Sequence, residues 1–303
     1  MFTRLHLIQP TLTQPFHRDG YVYEEKYDGW RMVAYKDSRR VRLVSRRGVD
    51  HTERFVDIAR SVARLPARTL ILDGEACVFD ESLVSHMNLL MDPPTDAVVT
   101  PPVFMAFDLL YVRGRDVRPE PLKDRRKRLE DEIDGSSILP ARRLADDGLE
   151  AWAQVQARGY EGLVGKAEIL SYTSATRWFK VKVRHEGRFH VGGIIVTASG
   201  YRGLLLGQRV GRQLRYVGTV EWGVGRALVE ALTEHVPTRT GSPFTDHRRH
   251  RGVVWMEPRV VVEVTFAELV NGWLRDPVLR QGRLTFPARG GGYQARPEAA
   301  QFA

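Results

Sequence analysis

Lysine is scarce in this 303-residue chain, and the few lysines are unevenly placed. Arginine occurs 39 times and lysine seven times, yet four of the lysines lie in three short stretches, at Lys26, at Lys166, and at Lys180 with Lys182. Arginine keeps its proton, whereas a lysine amine among positive charges can lose its proton and act as a nucleophile. These positions indicate covalent chemistry at an amine. The alternative is that the chain is rich in arginine for compositional reasons and that its few lysines are placed at random.

The sequence around Lys26 predicts how that amine is held. Residues 21–26 have the composition of a strand, residues 28–29 form an Asp-Gly turn pair, and residues 30–35 and 41–45 continue as short strands. This pattern predicts an antiparallel meander, in which Lys26 ends one strand and the next strand returns beside it.

A second strand, over residues 178–183, carries two of the other lysines. Because side chains alternate along a strand, Trp178, Lys180 and Lys182 share one face. Two amines would then face one cleft. The alternative is an ordinary half-buried strand with a solvated basic face.

Six segments, met in chain order, resemble the motifs of one enzyme family. They read Lys26-Tyr27-Asp28-Gly29-Trp30-Arg31, Ser45-Arg46-Arg47-Gly48, Leu72-Asp73-Gly74-Glu75, Phe107-Asp108-Leu109-Leu110-Tyr111, Glu161-Gly162-Leu163-Val164-Gly165-Lys166 and Trp178-Phe179-Lys180-Val181-Lys182. On these residues the chain resembles the covalent nucleotidyltransferases, which comprise DNA ligases, RNA ligases and mRNA capping enzymes. The fourth segment and residues 266–277 are similar to ATP-dependent DNA ligases in particular.

The resemblance implies an α+β fold of two domains. Residues 1–187 mix strand and helix patterns and would form an ATP-grasp-like nucleotidyltransferase domain with antiparallel sheets. Residues 188–303 show short strands punctuated by glycine with one helix, which suits a small OB-fold barrel. Because only 25 residues precede Lys26, no separate N-terminal DNA-binding domain is expected, as in the minimal bacterial and viral ligases.

The implied activity is the sealing of nicks in DNA through a lysyl-AMP intermediate. Lys26 would attack the α-phosphate of ATP, AMP would pass to a 5′-phosphate, and a 3′-hydroxyl would displace AMP. Each transfer needs cations around the phosphate oxygens. The catalytic set implied is Lys26 with Lys180, Lys182 and Arg31, whose charges would favour the neutral amine.

The resemblance also implies the contacts to ATP and to a Mg²⁺ or Mn²⁺ ion. Glu24 would read the exocyclic amine of adenine, and Phe107 would stack on the base. Arg46 and Lys166 would contact ribose or phosphate, while Glu75 and Glu161 fall at metal and ribose positions. Glu24, Glu75 and Glu161 have a structural alternative, an ion pair within an arginine-rich protein, and the alternative for Phe107 is a place in the core. Asp73 is assigned to structure.

Charge favours a polyanionic partner. The formal net charge is +9 and the sequence pI is about 9.8; residues 188–303 contribute 16 basic and 9 acidic side chains. Such an excess is typical of nucleic-acid binding. Nicked double-stranded DNA is the expected partner, and the expected contacts are Arg46, Arg177, Arg248, Arg249 and Arg251.

Other features of the sequence indicate the cellular compartment and the kind of protein. Cys77 is the single cysteine, which fits a reducing compartment and excludes zinc-finger sites. Neither a membrane span nor a signal peptide is visible. The sequence therefore predicts a cytoplasmic protein that does not bind membranes and acts as a monomer in repair or end joining, with a polymerase or an end-binding protein as possible partners.

One family motif is missing from the sequence. An Arg-x-Asp-Lys near the C-terminus should orient the leaving pyrophosphate, but Arg283 is followed there by Thr285 and Phe286. Either Arg280, Arg283 or Arg289 substitutes, or the protein seals pre-adenylated nicks and charges itself poorly. The alternatives that stay open are an RNA ligase, a guanylylating enzyme using the same lysine, and a nucleic-acid-binding module without catalysis.

Overall fold

The computed structural model describes residues 5–91, 99–173, 175–198, 200–246 and 250–280. The chain divides into two compact units, which meet between Val183 and Arg184. This division lies four residues before the predicted domain boundary. Each unit has its own buried apolar core.

The first unit has ten strands and four helices in its described residues. The strands are β1 (Thr11–Leu12), β2 (Tyr21–Glu25), β3 (Trp30–Asp37), β4 (Arg40–Ser45), β5 (Thr69–Cys77), β6 (Val103–Val112), β7 (Arg115–Asp116), β8 (Leu139–Pro140), β9 (Gly162–Ala167) and β10 (Trp178–Lys182). The helices are α1 (Val56–Arg64), α2 (Met87–Met91), α3 (Leu122–Ile133) and α4 (Gly148–Arg158).

The strands of the first unit form two sheets. The larger has the order β4-β3-β5-β6-β7, with β8 paired to β6, and the smaller has the order β1-β10-β9-β2. Helix α1 turns Ile58 and Val62 towards the larger sheet, where they join a core that includes Leu72 and Leu109. Burial of such side chains stabilises the unit by about 1.5–3 kcal/mol each. The prediction of an α+β domain is confirmed.

The predicted meander is wrong for its first pair of strands and confirmed for its second, the antiparallel pair of β3 and β4. Strand β2 pairs with β9 of the smaller sheet, whereas β3 pairs with β4 and β5 of the larger sheet. The Asp-Gly pair therefore crosses between sheets instead of closing a hairpin. The Asp28 amide donates to Ser85 Oγ, and its carboxylate accepts from the Met87 amide. Gly29 has no room for a side chain, because a Cβ there would lie 2.3 Å from the carbonyl oxygen of Ala76.

Helix α4 delivers the chain to the start of β9. The side chain of Asp147 caps its first turn by accepting from the amides of Leu149 and Glu150. The helix ends at Gly159, whose φ of 71° is left-handed and suits glycine. Tyr160 and Glu161 follow directly.

The second unit is mostly β-structure with one helix, as predicted. Its elements are β11 (His185–Thr197), β12 (Gly200–Val210), β13 (Gln213–Val220), α5 (Arg226–His235), β14 (Val253–Trp255), β15 (Val261–Phe266), β16 (Glu268–Val270), β17 (Trp273–Arg275) and β18 (Val278–Leu279). The main sheet runs β13-β12-β11-β15-β18, with β14 on β11, and over the described residues it does not close into a barrel. No helix in the described part of the chain has the length and apolar composition needed to cross a bilayer.

Candidate active site

A cavity of about 210 Å³ in the first unit brings together the side chains that the motifs single out. Strands of both sheets line it, together with the segment that follows β2 and the one that follows β4. The predicted residues along its wall are Glu24, Lys26, Arg31, Arg46, Glu75, Phe107, Lys166, Lys180 and Lys182. Alternation along β10 places Trp178, Lys180 and Lys182 on this wall, as expected.

Lys26 and Lys182 share one carboxylate. Lys26 Nζ donates to Glu161 Oε2 at 2.5 Å, and Lys182 Nζ lies 2.8 Å from Glu161 Oε1. The side chain of Lys26 is 21% exposed, so the amine is held but open to the cavity. The structure thus brings the predicted nucleophile beside one of the predicted assisting lysines.

Lys180 adds a further positive charge to this part of the cavity. Burial, together with the neighbouring charges of Lys182 and Lys26, lowers the pKa of Lys180, and Glu161 opposes that shift. Crowding of amines is the arrangement expected where phosphate oxygens are to be neutralised.

Glu75 lies opposite Arg31 in the β3–β5 ladder and faces the cavity. Burial raises the pKa of Glu75 to about 8, although the charges of Lys26 and Arg31 oppose the shift. Among the described residues, no group donates a hydrogen bond to this carboxylate. A divalent cation between Glu75 and Glu161 would stabilise the ionised form, and Mg²⁺ commonly uses one or two carboxylates with phosphates and waters. The chemistry of the two carboxylates therefore fits a divalent cation, although no three His, Cys, Asp or Glu side chains cluster as a metal site in the described residues.

Glu24 is buried, and each of its two carboxylate oxygens accepts a hydrogen bond from one cation. Its Oε2 accepts from Lys166 Nζ at 2.6 Å, and its Oε1 accepts from Arg126 Nη1 on α3. The structural alternative for Glu24, an ion pair with an arginine, is thus present in the structure. Burial lowers the pKa of Lys166, and the charge of Glu24 opposes that shift. The ammonium of Lys166 lies over the rings of Phe107 and Trp178, at 4.6 and 4.2 Å from their centroids.

Arg31 is fixed by a bidentate pair. Its Nε and Nη2 donate to the two carboxylate oxygens of Asp73 at 3.0 and 2.7 Å, and Nη1 donates to the carbonyl of Ile8 at 2.6 Å. The hydroxyl of Tyr172 donates to Asp73 at 2.7 Å. Asp73 is completely buried and serves structure, as assigned from the sequence. Arg31 therefore presents a rigid charge, with its guanidinium 5.2 Å from the centroid of Phe107.

Of the predicted DNA contacts, Arg46 and Arg177 lie in the first unit and Arg251 lies in the second. Arg46 lines the cavity and donates to Gln9 Oε1 at 2.9 Å. Arg177 is exposed just before β10, and Arg251 is exposed in the second unit. Arg248 and Arg249 lie outside the described residues.

The substitutes suggested for the missing motif fall mostly outside the described residues as well. This is true of Arg283 and Arg289, and of Thr285 and Phe286 beside them. Arg280 is described, and its Nη1 donates to Glu186 at 2.5 Å. Its guanidinium is thus bound to a carboxylate of the second unit.

Sequence reasoning missed Arg126, although a signal was present. Leu122, Leu129 and Ile133 form the apolar stripe of α3, and Arg126 falls in that stripe at helical spacing. A charged residue inside an apolar stripe indicates a buried ion pair, because an unpaired buried charge is costly. The partner, 102 positions away at Glu24, could not be read from the helix.

Comparison with known proteins agrees with this geometry. Residues 6–182 match the family model described as the ATP dependent DNA ligase domain, and residues 197–285 match the ATP dependent DNA ligase C terminal region. The end-joining repair protein LigD of Mycobacterium tuberculosis is 31% identical over 86% of this chain, which spans 35% of that protein. A probable DNA ligase of Streptomyces griseus is 30% identical over 80% of this chain and 51% of its own length.

A solved structure shows the same fold. Mycobacterial DNA ligase D, complexed with ATP and MES, superposes with a TM-score of 0.55 at 29% identity, over 92% of this chain and 95% of that one. This chain covers only about a third to a half of the two curated relatives described above. The model of the ligase domain nevertheless spans more than half of the present sequence. The chain therefore belongs to the ATP-dependent DNA ligase family.

Proposed function

We propose that this protein seals nicks with 5′-phosphate and 3′-hydroxyl ends in duplex DNA, using ATP and a lysyl-AMP intermediate. The observation that carries the proposal is the cavity in which Lys26 Nζ is held by Glu161 beside Lys182 and Lys180. An amine among cations is what a covalent nucleotidyl transfer requires.

In the first step, the lone pair of Lys26 Nζ forms a bond to the α-phosphorus of ATP while the bond to the β-phosphate oxygen breaks. Pyrophosphate leaves and the amine loses a proton. In the second step, a 5′-phosphate oxygen of DNA takes AMP from the lysine, which regains a proton. In the third, the 3′-hydroxyl attacks the 5′-phosphorus and AMP departs, leaving a phosphodiester bond.

The residues of the cavity would contact two parts of ATP, the phosphates and the adenine base. Lys180, Lys182 and Arg46 would bind phosphate oxygens near the amine, with Arg31 as a fixed charge. The ring of Phe107 would support the base, with Lys166 behind it, and the carboxylate of Glu24 would accept a hydrogen bond from the amine of adenine. Adenine offers a donor at the position where guanine offers an acceptor, so an ionised carboxylate favours ATP over GTP.

Glu75 and Glu161 would hold a Mg²⁺ or Mn²⁺ ion that neutralises charge on the phosphate oxygens. Lys26 Nζ would leave Glu161 Oε2 as the amine turns towards the α-phosphorus.

We further infer that the DNA partner is a nicked duplex bound along basic side chains. Arg46 and Arg177 would contact the nick, and Arg248, Arg249 and Arg251 would contact backbone phosphates. DNA affinity should then fall steeply with salt, because each neutralised phosphate releases counterions. The M. tuberculosis relative is a non-homologous end joining DNA repair protein, which favours end joining here, with a polymerase or an end-binding protein as partner. We place the enzyme in the cytoplasm and expect a monomer.

The test is incubation with ATP labelled at the α-phosphate, followed by intact-mass measurement of the protein. Wild type should gain one AMP on Lys26, and K26A should gain none while still binding nicked DNA. K26R should be equally inactive, because arginine keeps the charge but offers no lone pair. Label on either variant would remove Lys26 from the mechanism.

The same assay distinguishes the alternative functions. A binding module takes up no label, a guanylylating enzyme prefers GTP, and an RNA ligase prefers nicked RNA. The missing Arg-x-Asp-Lys favours one second candidate, a ligase that seals pre-adenylated nicks but charges itself slowly. That enzyme would seal a nick carrying 5′-adenylate much faster than it takes label from ATP.

A further inference from the structure

Arg142 lies in the loop between β8 and α4 and makes four hydrogen bonds with three residues. Its carbonyl accepts from the amide of Glu25 at 3.0 Å, and its amide donates to the hydroxyl of Tyr27 at 2.8 Å. Its side-chain Nη1 donates to Glu25 Oε2 at 2.8 Å and also to the hydroxyl of Tyr160. One residue thus uses both backbone and side chain to join separate parts of the unit.

The three partners stand next to the reacting pair. Glu25 and Tyr27 are the two chain neighbours of Lys26, and Tyr160 is the chain neighbour of Glu161. The amide of Lys26 also donates to the carbonyl of Gly162 at 3.0 Å, so the two segments are already joined by backbone. Arg142 adds a second connection between the same two segments.

The partners of Arg142 are buried, whereas the side chain of Arg142 itself is 36% exposed. Glu25, Tyr27 and Tyr160 are each less than 5% exposed. Among the residues that the structure describes, Glu25 Oε1 has no hydrogen-bond partner, so the bond of Oε2 to Arg142 compensates for the burial of this carboxylate. The guanidinium of Arg142 also lies 5.3 Å from the centroid of the Tyr160 ring.

We propose that Arg142 is a positioning residue that sets the approach of Lys26 Nζ to Glu161. The inference rests on the proposed function, because it concerns the placement of the nucleophile. Arg142 touches neither Lys26 Nζ nor Glu161 Oε2 and acts through the residues beside them. A planar guanidinium can bond a carboxylate and stack on a phenol at once, which an ammonium cannot do.

The chain offers a matched control in Arg158. It is exposed at the end of α4 and acts on Glu25 only through its charge. R142M removes the connection, R142K keeps the charge with poorer geometry, and R158M removes one arginine charge near Glu25 without breaking the connection. Y160F removes only the hydrogen bond between Arg142 and the hydroxyl of Tyr160.

The first measurement is the single-turnover rate of label transfer from ATP to Lys26, with thermal unfolding recorded for every variant. At saturating ATP, R142M should slow transfer about 10- to 100-fold, since a displacement near 1 Å has effects of that size. The KM for ATP should change less than about threefold, because the ATP-binding side chains are untouched. R142K should recover part of the rate, Y160F should be intermediate, and R158M should match wild type.

The second measurement does not depend on activity. Lys26 is acylated with an N-hydroxysuccinimide ester of acetate, and its rate is compared by peptide mass with that of exposed Lys127. R142M should change the ratio at least about threefold by freeing the amine, and R158M should leave it unchanged. Failure of wild type to take label would overturn the proposed function, whereas the acylation ratio would still report whether Arg142 positions the Lys26 amine.

Two outcomes overturn the inference. One is a folded R142M protein with wild-type transfer and a wild-type acylation ratio. The other is a loss of rate that equals the loss of folded protein, with the acylation ratio of the folded fraction unchanged, which would make Arg142 a structural residue only.

Discussion

The two ends of the cavity hold their charges in opposite ways. At the aromatic end, Glu24 is 1% exposed and both of its oxygens are bound by Arg126 and Lys166. At the amine end, Lys26 and Lys182 are 21% and 18% exposed and share Glu161. The carboxylate at the aromatic end is fixed by burial and by a cation at each oxygen. The lysines at the amine end are partly exposed and can contact a ligand. Stability and catalysis should therefore respond separately to substitutions at the two ends.

The largest expected effect is on stability, at the buried end. The pair Arg125–Asp108 lies beside the aromatic end, with Nε and Nη2 donating to the carboxylate at 2.8 and 2.7 Å and both residues almost inaccessible. R125M leaves Asp108 without its partner and should lower the free energy of unfolding by about 3–5 kcal/mol. Urea denaturation measures this loss.

The matched control for R125M is R60M. Arg60 forms an exposed pair with Asp57 on α1, so its removal should cost less than about 0.5 kcal/mol. If R125M unfolds at the same urea concentration as R60M, the buried ion pairs beside the aromatic end do not stabilise the fold more than an exposed pair does.

The next effect is on catalysis, at the amine end. K182M removes one of the two cations on Glu161 and should slow label transfer about 100-fold, as loss of a group that stabilises developing charge does. Because the site is partly open, the free energy of unfolding should change by less than about 1 kcal/mol. K123M, which changes an exposed lysine on α3, is the control for labelling. Wild-type label transfer by K182M would contradict the assignment.

The smallest expected effect is a change in the pH dependence of stability at Glu25, between the two ends. Burial raises the pKa of Glu25 from 4.5 to about 7, although Arg142 and Arg158 oppose the shift. Between these values the folded state binds more protons than the unfolded state, so the free energy of unfolding falls as pH rises from about 4.5 to 7.

The variant E25Q should remove this dependence. At pH 8 it should be more stable than wild type by an amount on the order of 2 kcal/mol, and the difference should shrink below about pH 5. Thermal unfolding across this pH range checks it. A wild-type stability that rises between pH 5 and pH 7 relative to E25Q would show that the Glu25 carboxyl is not destabilised when ionised.

The amine end could be predicted from sequence because its residues lie within short motifs. Lys180 and Lys182 follow from alternation along one strand, and Lys26 from a lysine in an arginine-rich chain. The aromatic end could be predicted only in part. Glu24 was assigned to a ligand by resemblance, while Arg126 gave a helical signal but no partner, because pairing across 102 positions depends on how α3 packs.

The pairing of β2 could not be predicted for a similar reason. An Asp-Gly pair between two strand patterns suits a tight hairpin, and local sequence cannot distinguish this from a crossing between sheets. The difference lies in contacts far along the chain, with Ser85 and Met87 holding Asp28, and Ala76 lying against Gly29. Arg142 was missed because its importance comes from its neighbours in space.

That crossing has a mechanical consequence. Lys26 directly follows β2 and Glu161 directly precedes β9 of the smaller sheet, whereas Arg31 and Glu75 belong to the larger one. Only four residues lie between Lys26 and Arg31. Any shift of one sheet against the other would therefore move Lys26 and Glu161 together relative to Arg31 and Glu75.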